Sequence, residues 1–185
     1  MHLGAHGRVV REPFRGAPHT VAHIKRVALE AQTYYPLRLL AEDIVGRLGS
    51  KDYLSEILAV YYWTLAHVRY ANDPRTVELV RSPREILARV KSAVERLRSG
   101  WRPSLDCDDM VALLVGLFLV LGREVRIVTV AFRDLTYKGR RQYQHVYLQV
   151  REPRTSTWIV LDPVAAEDAG EMLGRVKHVK IWPVA

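Results

Sequence analysis

Cys107 is the only cysteine of this chain, and it stands just before the most apolar stretch of the sequence, Met110 to Gly122. A lone thiol cannot form a disulfide within the chain, and the start of a buried helix is where a reactive thiol is expected. Further along, His145 and Asp162 fall on two predicted strands that can pair with each other. A cysteine, a histidine and an aspartate brought together are the side chains of an acyl-transfer site.

The residues around Cys107 predict how its thiol is presented. Asp106 is a good N-cap for the apolar helix, and Asp109, three residues later, resembles the carboxylate of a capping box. Cys107 then lies in the first turn, where free backbone N–H groups stabilise an oxyanion and the helix end lowers a thiol pKa. The neighbouring aspartates raise that pKa, so we expect reactivity only with a histidine partner. The alternative is an inert, buried cysteine on a core helix.

The histidine and the aspartate flank a predicted hairpin. The segment Glu152-Pro153-Arg154-Thr155 is turn-forming, and a hairpin symmetric about its middle places His145 directly opposite Asp162. The other face of the hairpin is then wholly aliphatic, with Val146 opposite Leu161 and Leu148 opposite Ile159. Asp162 would fix the tautomer of His145 and leave one ring nitrogen to activate the thiol. Taken singly, His145 is also compatible with a surface histidine, and Asp162 with a turn before Pro163.

The elements that must position these residues follow from periodicity. Apolar residues at helical spacing predict five helices, which begin near Thr20, Pro36, Ser50, Ser82 and Asp106. Thr20 and Ser82 are the predicted caps of the first and fourth helices. Stretches rich in β-branched residues or alternating in polarity predict the strands Val125–Phe132, Tyr143–Val150, Thr157–Leu161 and Val176–Ile181. Helices followed by an antiparallel sheet indicate an α+β fold. Residues 1–19 are expected to form a loose arm, and residues 20–185 a single domain.

Composition excludes several classes of function. The net charge is +8, but no basic run with interleaved aromatic residues predicts a specific nucleic-acid partner. The apolar run from Met110 to Leu121 is shorter than the roughly 20 residues of a membrane span, so no membrane partner is predicted. One cysteine and no recognisable secretory signal favour a cytoplasmic protein, or one associated with a virion or particle assembled there.

No metal or cofactor is predicted from the sequence. His19 and His23 could share a helical face, but no further ligands converge on them, which favours a capping or surface role. The aspartates at 106, 108 and 109 could hold a hard cation, yet capping already accounts for carboxylates at a helix start. The chain also has no glycine-rich phosphate loop.

The sequence resembles the transglutaminase-like superfamily of papain-like thiol enzymes, most closely its compact bacterial and phage members. The resemblance covers about half of the chain and rests on Tyr70-Ala71-Asn72-Asp73-Pro74, Glu78, Pro83, Asp106-Cys107-Asp108-Asp109, the helix to Gly122, His145-Val146-Tyr147, and Trp158 through Leu161-Asp162-Pro163. Two features depart from the family. Many members have an aromatic residue where this chain has Asp108, and the chain has no room for the calcium sites and extra domains of animal transglutaminases.

The resemblance implies a papain-like core in which the nucleophile begins a buried central helix. Cys107 would be the nucleophile, His145 the general base and acid, and Asp162 the residue that orients the histidine. The implied activity is hydrolysis or transamidation of a peptide or glutamine side-chain amide through a thioester, with a protein or peptide as substrate. Tyr70 is a candidate second oxyanion donor, with a core or surface tyrosine as the alternative. The other class of function is a non-catalytic binding module of the same fold, for example in phage particle assembly.

Overall fold

The computed structural model describes residues 10–12, 16–71, 78–95, 102–164, 168–171 and 175–184. Within these residues the chain is α+β, as predicted, with five helices: α1 (Ala17–Ala31), α2 (Tyr35–Val45), α3 (Tyr53–His67), α4 (Pro83–Glu95) and α5 (Cys107–Val120). The strands are β1 (Val10–Glu12), β2 (Arg69–Tyr70), β3 (Glu78–Val80), β4 (Ser104–Leu105), β5 (Val125–Ala131), β6 (Thr136–Tyr137), β7 (Arg140–Arg141), β8 (His145–Arg151), β9 (Trp158–Leu161) and β10 (His178–Pro183). The sequence Asn72-Asp73-Pro74 predicts a turn, and Gly100 predicts the end of the fourth helix; both lie outside the described residues.

Helix α5 is the centre of the fold. It packs against the four other helices on one side and against β5 and β8 on the other. All residues from Asp108 to Phe118 are buried, as expected of a helix that is apolar on every side. Gly116 allows α2 and α4 to approach α5 closely, because a Cβ there would lie 3.0 Å from Pro83 and 3.2 Å from Leu37. The buried central helix that the sequence predicts is therefore present.

The main sheet has four antiparallel strands in the order β10-β5-β8-β9. Residues on its inner face, such as Ile127, Leu148 and Leu161, join the same hydrophobic core as α5. Three further two-stranded pairings are β1 with β3, the parallel pair β2 with β4, and β6 with β7. Periodicity in the sequence predicts the four strands of the main sheet but none of these short pairs, whose few residues carry too little periodicity.

The register between β8 and β9 differs from the predicted one by two residues. Leu148 pairs with Leu161, where the symmetric hairpin required Ile159. The prediction that His145 lies directly opposite Asp162 is therefore wrong. Because side chains alternate along a strand, a shift of two residues keeps each side chain on its predicted face. His145 consequently still reaches Asp162, as a diagonal rather than a direct neighbour.

The turn itself explains the altered register. The backbone N–H of Glu152 donates to the carbonyl of Thr157 at 2.8 Å, which closes the hairpin at these two residues. The Glu152 carboxylate accepts from the backbone N–H of Thr155 at 2.5 Å and from its hydroxyl at 2.6 Å. These bonds hold a four-residue turn, so the centre of the hairpin lies one residue later than a turn about Pro153 and Arg154.

Helix starts differ from the sequence predictions where capping signals compete. Helix α1 begins at Ala17, after Gly16 with φ +90, so Thr20 is a buried residue inside the helix instead of its cap. Asp52, not Ser50, caps α3 by accepting from the N–H of Ser55. Ser82 caps α4 as predicted, since its hydroxyl accepts from the N–H of Glu85 at 3.2 Å. Part of the predicted N-terminal arm is ordered, because β1 pairs with β3.

In the part of the chain that the structure describes, no helix combines the length and the apolar character needed to cross a bilayer.

Candidate active site

Cys107 is the first residue of α5, in the position predicted from the cap. The Asp106 carboxylate accepts from the backbone N–H of Asp109 at 3.0 Å, so Asp106 is the N-cap. The Asp109 carboxylate is fully buried and accepts from the backbone N–H of Arg81 at 2.6 Å and from the Arg81 guanidinium. Asp109 thus ties the start of α5 to the segment before α4, a long-range role that a capping-box reading does not anticipate.

The surroundings of the Cys107 thiol keep it protonated. Burial raises its pKa well above the ordinary value, and the negative charges of Asp108 and Asp106 add to this effect. The thiol also donates to the Asp108 carboxylate, with 3.6 Å between sulfur and oxygen. A backbone hydrogen bond from Val146, the residue next to His145, acts in the opposite direction. The sequence predicts opposite effects of the helix end and of the aspartates on the thiol pKa. In the structure, burial and the aspartates prevail, and the pKa is raised.

His145 and Asp162 form the predicted hydrogen bond. Nε2 of His145 lies 2.8 Å from Oδ2 of Asp162, whose side chain is fully buried. The second carboxylate oxygen accepts from the backbone N–H of Val164 at 3.2 Å. Because the carboxylate is an acceptor, Nε2 carries the proton, and Nδ1 is the ring nitrogen that can accept one from a thiol. This is the tautomer that a general base requires.

A cavity of about 130 Å³ brings the cysteine and the histidine to one place. Cys107, Asp108, His145 and Val146 form one part of its wall. The rest of the wall comes from α1 and from the sheet side, with the residues Ala17, Thr20, Val21, Thr129, Tyr143 and Gln144. Since the thiol donates to Asp108, it has to turn from this carboxylate toward the His145 ring before a proton can pass between them.

Tyr70 lies beside the start of α5. It belongs to β2 and pairs in parallel with Leu105 of β4, two residues before Cys107. Its side chain is half-exposed, and its pKa is raised, first by burial and then by the charges of Cys107 and Asp106. The phenol is therefore close enough to the thiol for the charges of the two groups to interact.

Two groups of residues at the site were not identified from sequence. Tyr61 of α3 donates its hydroxyl to the backbone carbonyl of Asp162 at 3.0 Å, although its position on the apolar stripe predicts only a core residue. The one available signal is that a buried tyrosine hydroxyl usually has a partner. The wall formed by α1 carries no signal in the sequence, because it depends on packing between distant elements.

The histidines considered as metal ligands have other contacts. The rings of His19 and His23 stack with centroids 6.1 Å apart, and His23 lies within hydrogen-bond distance of Arg26. Across the described ranges, no group of three or more histidine, cysteine, aspartate or glutamate side chains is placed to hold a metal ion.

Comparisons with known proteins give only a distant likeness. No protein-family model matches the chain, and neither does any curated protein. A candidate protease from Parabacteroides distasonis superposes with a TM-score of 0.46 and 12% identity, covering 80% of this chain and 34% of that one. A candidate cysteine protease from Cytophaga hutchinsonii gives a TM-score of 0.44 and 18% identity, covering 81% of this chain and 51% of that one. The chain thus spans about a third and about half of these two proteins, and the likeness is too low to assign it to a family.

Proposed function

We propose that this protein is a cysteine-dependent acyl-transfer enzyme that acts on amides, with a transglutaminase-like arrangement of a papain-like core. Cys107 is the nucleophile, His145 the general base and acid, and Asp162 the residue that orients the histidine. The observation that carries the proposal is the hydrogen bond from His145 to a buried carboxylate, beside a cavity that His145 shares with the only thiol of the chain. A peptide bond or a glutamine side-chain amide is the substrate.

The reaction follows from the positions of these groups. As the Cys107 sulfur attacks the amide carbonyl carbon, Nδ1 of His145 takes the thiol proton, because the thiol is neutral in the resting protein. The same proton then passes to the nitrogen of the departing amine, the carbon–nitrogen bond breaks, and a thioester remains on Cys107. Water or a second amine attacks the thioester with His145 as base, which gives hydrolysis or transamidation respectively and restores the thiol.

The tetrahedral intermediate needs donors for its oxyanion. The backbone N–H of Cys107 is one of the first groups of α5, where no carbonyl of the same helix can accept from it. The Tyr70 hydroxyl is the proposed second donor, supported by its position beside Leu105 and by its electrostatic coupling to the thiol. Together they would surround the oxyanion from the helix end and from β2.

A second candidate function is a non-catalytic binding module, for example in particle assembly. The observation that favours it is the hydrogen bond from the thiol to Asp108, together with the raised thiol pKa, because both hold Cys107 in its unreactive form. In this case the cavity would bind a peptide without turning it over. The cytoplasmic or particle-associated location stays a prediction under both functions.

An assay with acyl-donor peptides distinguishes the enzyme from the binding module. Peptides with backbone and glutamine amides are incubated with the protein, with and without a primary amine. We expect amine-dependent transfer or hydrolysis together with a thioester on Cys107, detected by intact-protein mass spectrometry. Cys107→Ala and His145→Ala should each lower turnover by at least about a thousandfold while the far-UV circular dichroism stays unchanged. Peptide binding without turnover would favour the binding module, and turnover that survives Cys107→Ala would refute the thiol mechanism.

A further inference from the structure

Tyr61 makes a buried hydrogen bond to the residue that orients His145. Its side chain projects from the middle of α3 and is fully buried. The hydroxyl donates to the backbone carbonyl of Asp162 at 3.0 Å, across a long separation in sequence. Burial raises the pKa of Tyr61 far above its ordinary value, with a further contribution from the Asp162 charge, so the hydroxyl remains a donor at every physiological pH.

The bond is needed because Asp162 lies just beyond the sheet. Strand β9 ends at Leu161, so the ladder with β8 no longer provides a partner for the next carbonyl. A buried carbonyl without a donor is costly, and Tyr61 supplies the donor. Asp162 is then held at three atoms: its carbonyl by Tyr61, one carboxylate oxygen by Val164, and the other by His145.

We infer that Tyr61 is a positioning residue, which holds Asp162 so that its carboxylate keeps His145 in the orientation that faces Cys107. This inference rests on the proposed function. The bond to Val164 lies within the same turn and moves with it, whereas the bond to Tyr61 joins the turn to α3 in the core. The bond from Tyr61 therefore links the turn directly to α3, which itself packs against the helix that carries the thiol.

Removal of the hydroxyl should loosen this connection without emptying the core. Tyr61→Phe keeps the ring and loses the hydroxyl that donates to the Asp162 carbonyl, so the turn can shift. Because misplacement of a catalytic group acts on the chemical step, kcat should fall by about tenfold while KM stays near its wild-type value. The Nε2 proton of His145 should also exchange faster with water, since its acceptor is held less firmly.

The matched control is Thr64→Val, one turn further along α3. This hydroxyl is also fully buried, but it donates to the Val60 carbonyl of its own helix at 3.0 Å. The experiment compares kcat, KM and urea unfolding of both variants, and follows the His145 ring proton by NMR in a Cys107→Ala background, where turnover cannot interfere. His145→Ala assigns the signal.

A lower kcat and faster proton exchange in Tyr61→Phe, with neither change in Thr64→Val, would support the inference. Unchanged kcat and exchange in Tyr61→Phe would overturn it, and so would equal changes in both variants, which indicate a general loss of core stability. Failure of the proposed function is seen separately, as wild-type protein that shows no turnover dependent on Cys107.

Discussion

The two sides of the candidate site differ in how ready they are to react. On the sheet side, His145 donates to the buried carboxylate of Asp162, so the imidazole is already oriented. The other carboxylate oxygen of Asp162 accepts from Val164, and its backbone carbonyl accepts from Tyr61. On the helix side, burial and Asp108 keep the Cys107 thiol protonated and turned toward a carboxylate. Under the proposed mechanism, reactivity is therefore limited at the helix, because the imidazole is oriented before the thiol is available.

The largest effect is expected from breaking the sheet side. Asp162→Asn replaces an acceptor of the Nε2 proton by an amide that can donate, which favours the wrong tautomer of His145. We expect kcat to fall by roughly 10³- to 10⁴-fold with little change in folding. Steady-state kinetics with the best acyl donor measures this. Asp134→Asn, which removes an exposed carboxylate bound to Lys177, is the control and should be silent; equal activity of the two variants would contradict the role of Asp162.

A smaller effect, on stability, tests how the helix side is anchored. Arg81→Met leaves the fully buried Asp109 carboxylate without its cation, and breaking a buried pair in this way costs about 3–5 kcal/mol. The free energy of unfolding, measured in urea, should fall by about that amount. Arg151→Met, which breaks an exposed pair with Glu124, should cost less than about 1 kcal/mol. A loss in Arg81→Met no larger than in this control would mean that Asp109 does not depend on Arg81.

The smallest effect is expected on the helix side, where a substitution of Asp108 should make the Cys107 thiol easier to deprotonate. Asp108→Asn removes a negative charge and replaces the carboxylate that accepts the thiol proton by a weaker amide acceptor. Both the charge and the hydrogen bond of Asp108 raise the Cys107 pKa. The pKa should therefore fall, and the thiolate fraction at neutral pH should rise. We expect iodoacetamide alkylation at pH 7 to be about tenfold faster, with the rate–pH profile displaced toward lower pH. A rate that is unchanged or slower would show that Asp108 does not restrain the thiol.

The parts of the site that the sequence predicts are those set by local rules. Asp106 as N-cap and Cys107 in the first turn follow from residue types within one helix start. The contact of His145 with Asp162 was predicted from a register that proved wrong by two residues. It still formed because an even shift preserves the faces of a strand.

The parts that were missed depend on contacts between distant segments. Arg81 bonds to Asp109 and Tyr61 bonds to Asp162 only once α5 has packed against its neighbours, and neither partner can be identified from spacing. The register error has a different, local origin, since the Glu152 carboxylate selects a particular turn through hydrogen bonds to Thr155 that composition alone does not predict.

The residues of α1 that line the cavity lie in a different part of the chain from the residues proposed to react. The groups proposed to perform the chemistry come from α5, β8 and the end of β9, whereas Ala17, Thr20 and Val21 enclose the same space from α1. Substitutions at these three positions can reshape the cavity without touching the thiol, the imidazole or the carboxylate. For the proposed reaction, substrate preference can therefore diverge by changes in a single helix while the reacting groups are inherited intact.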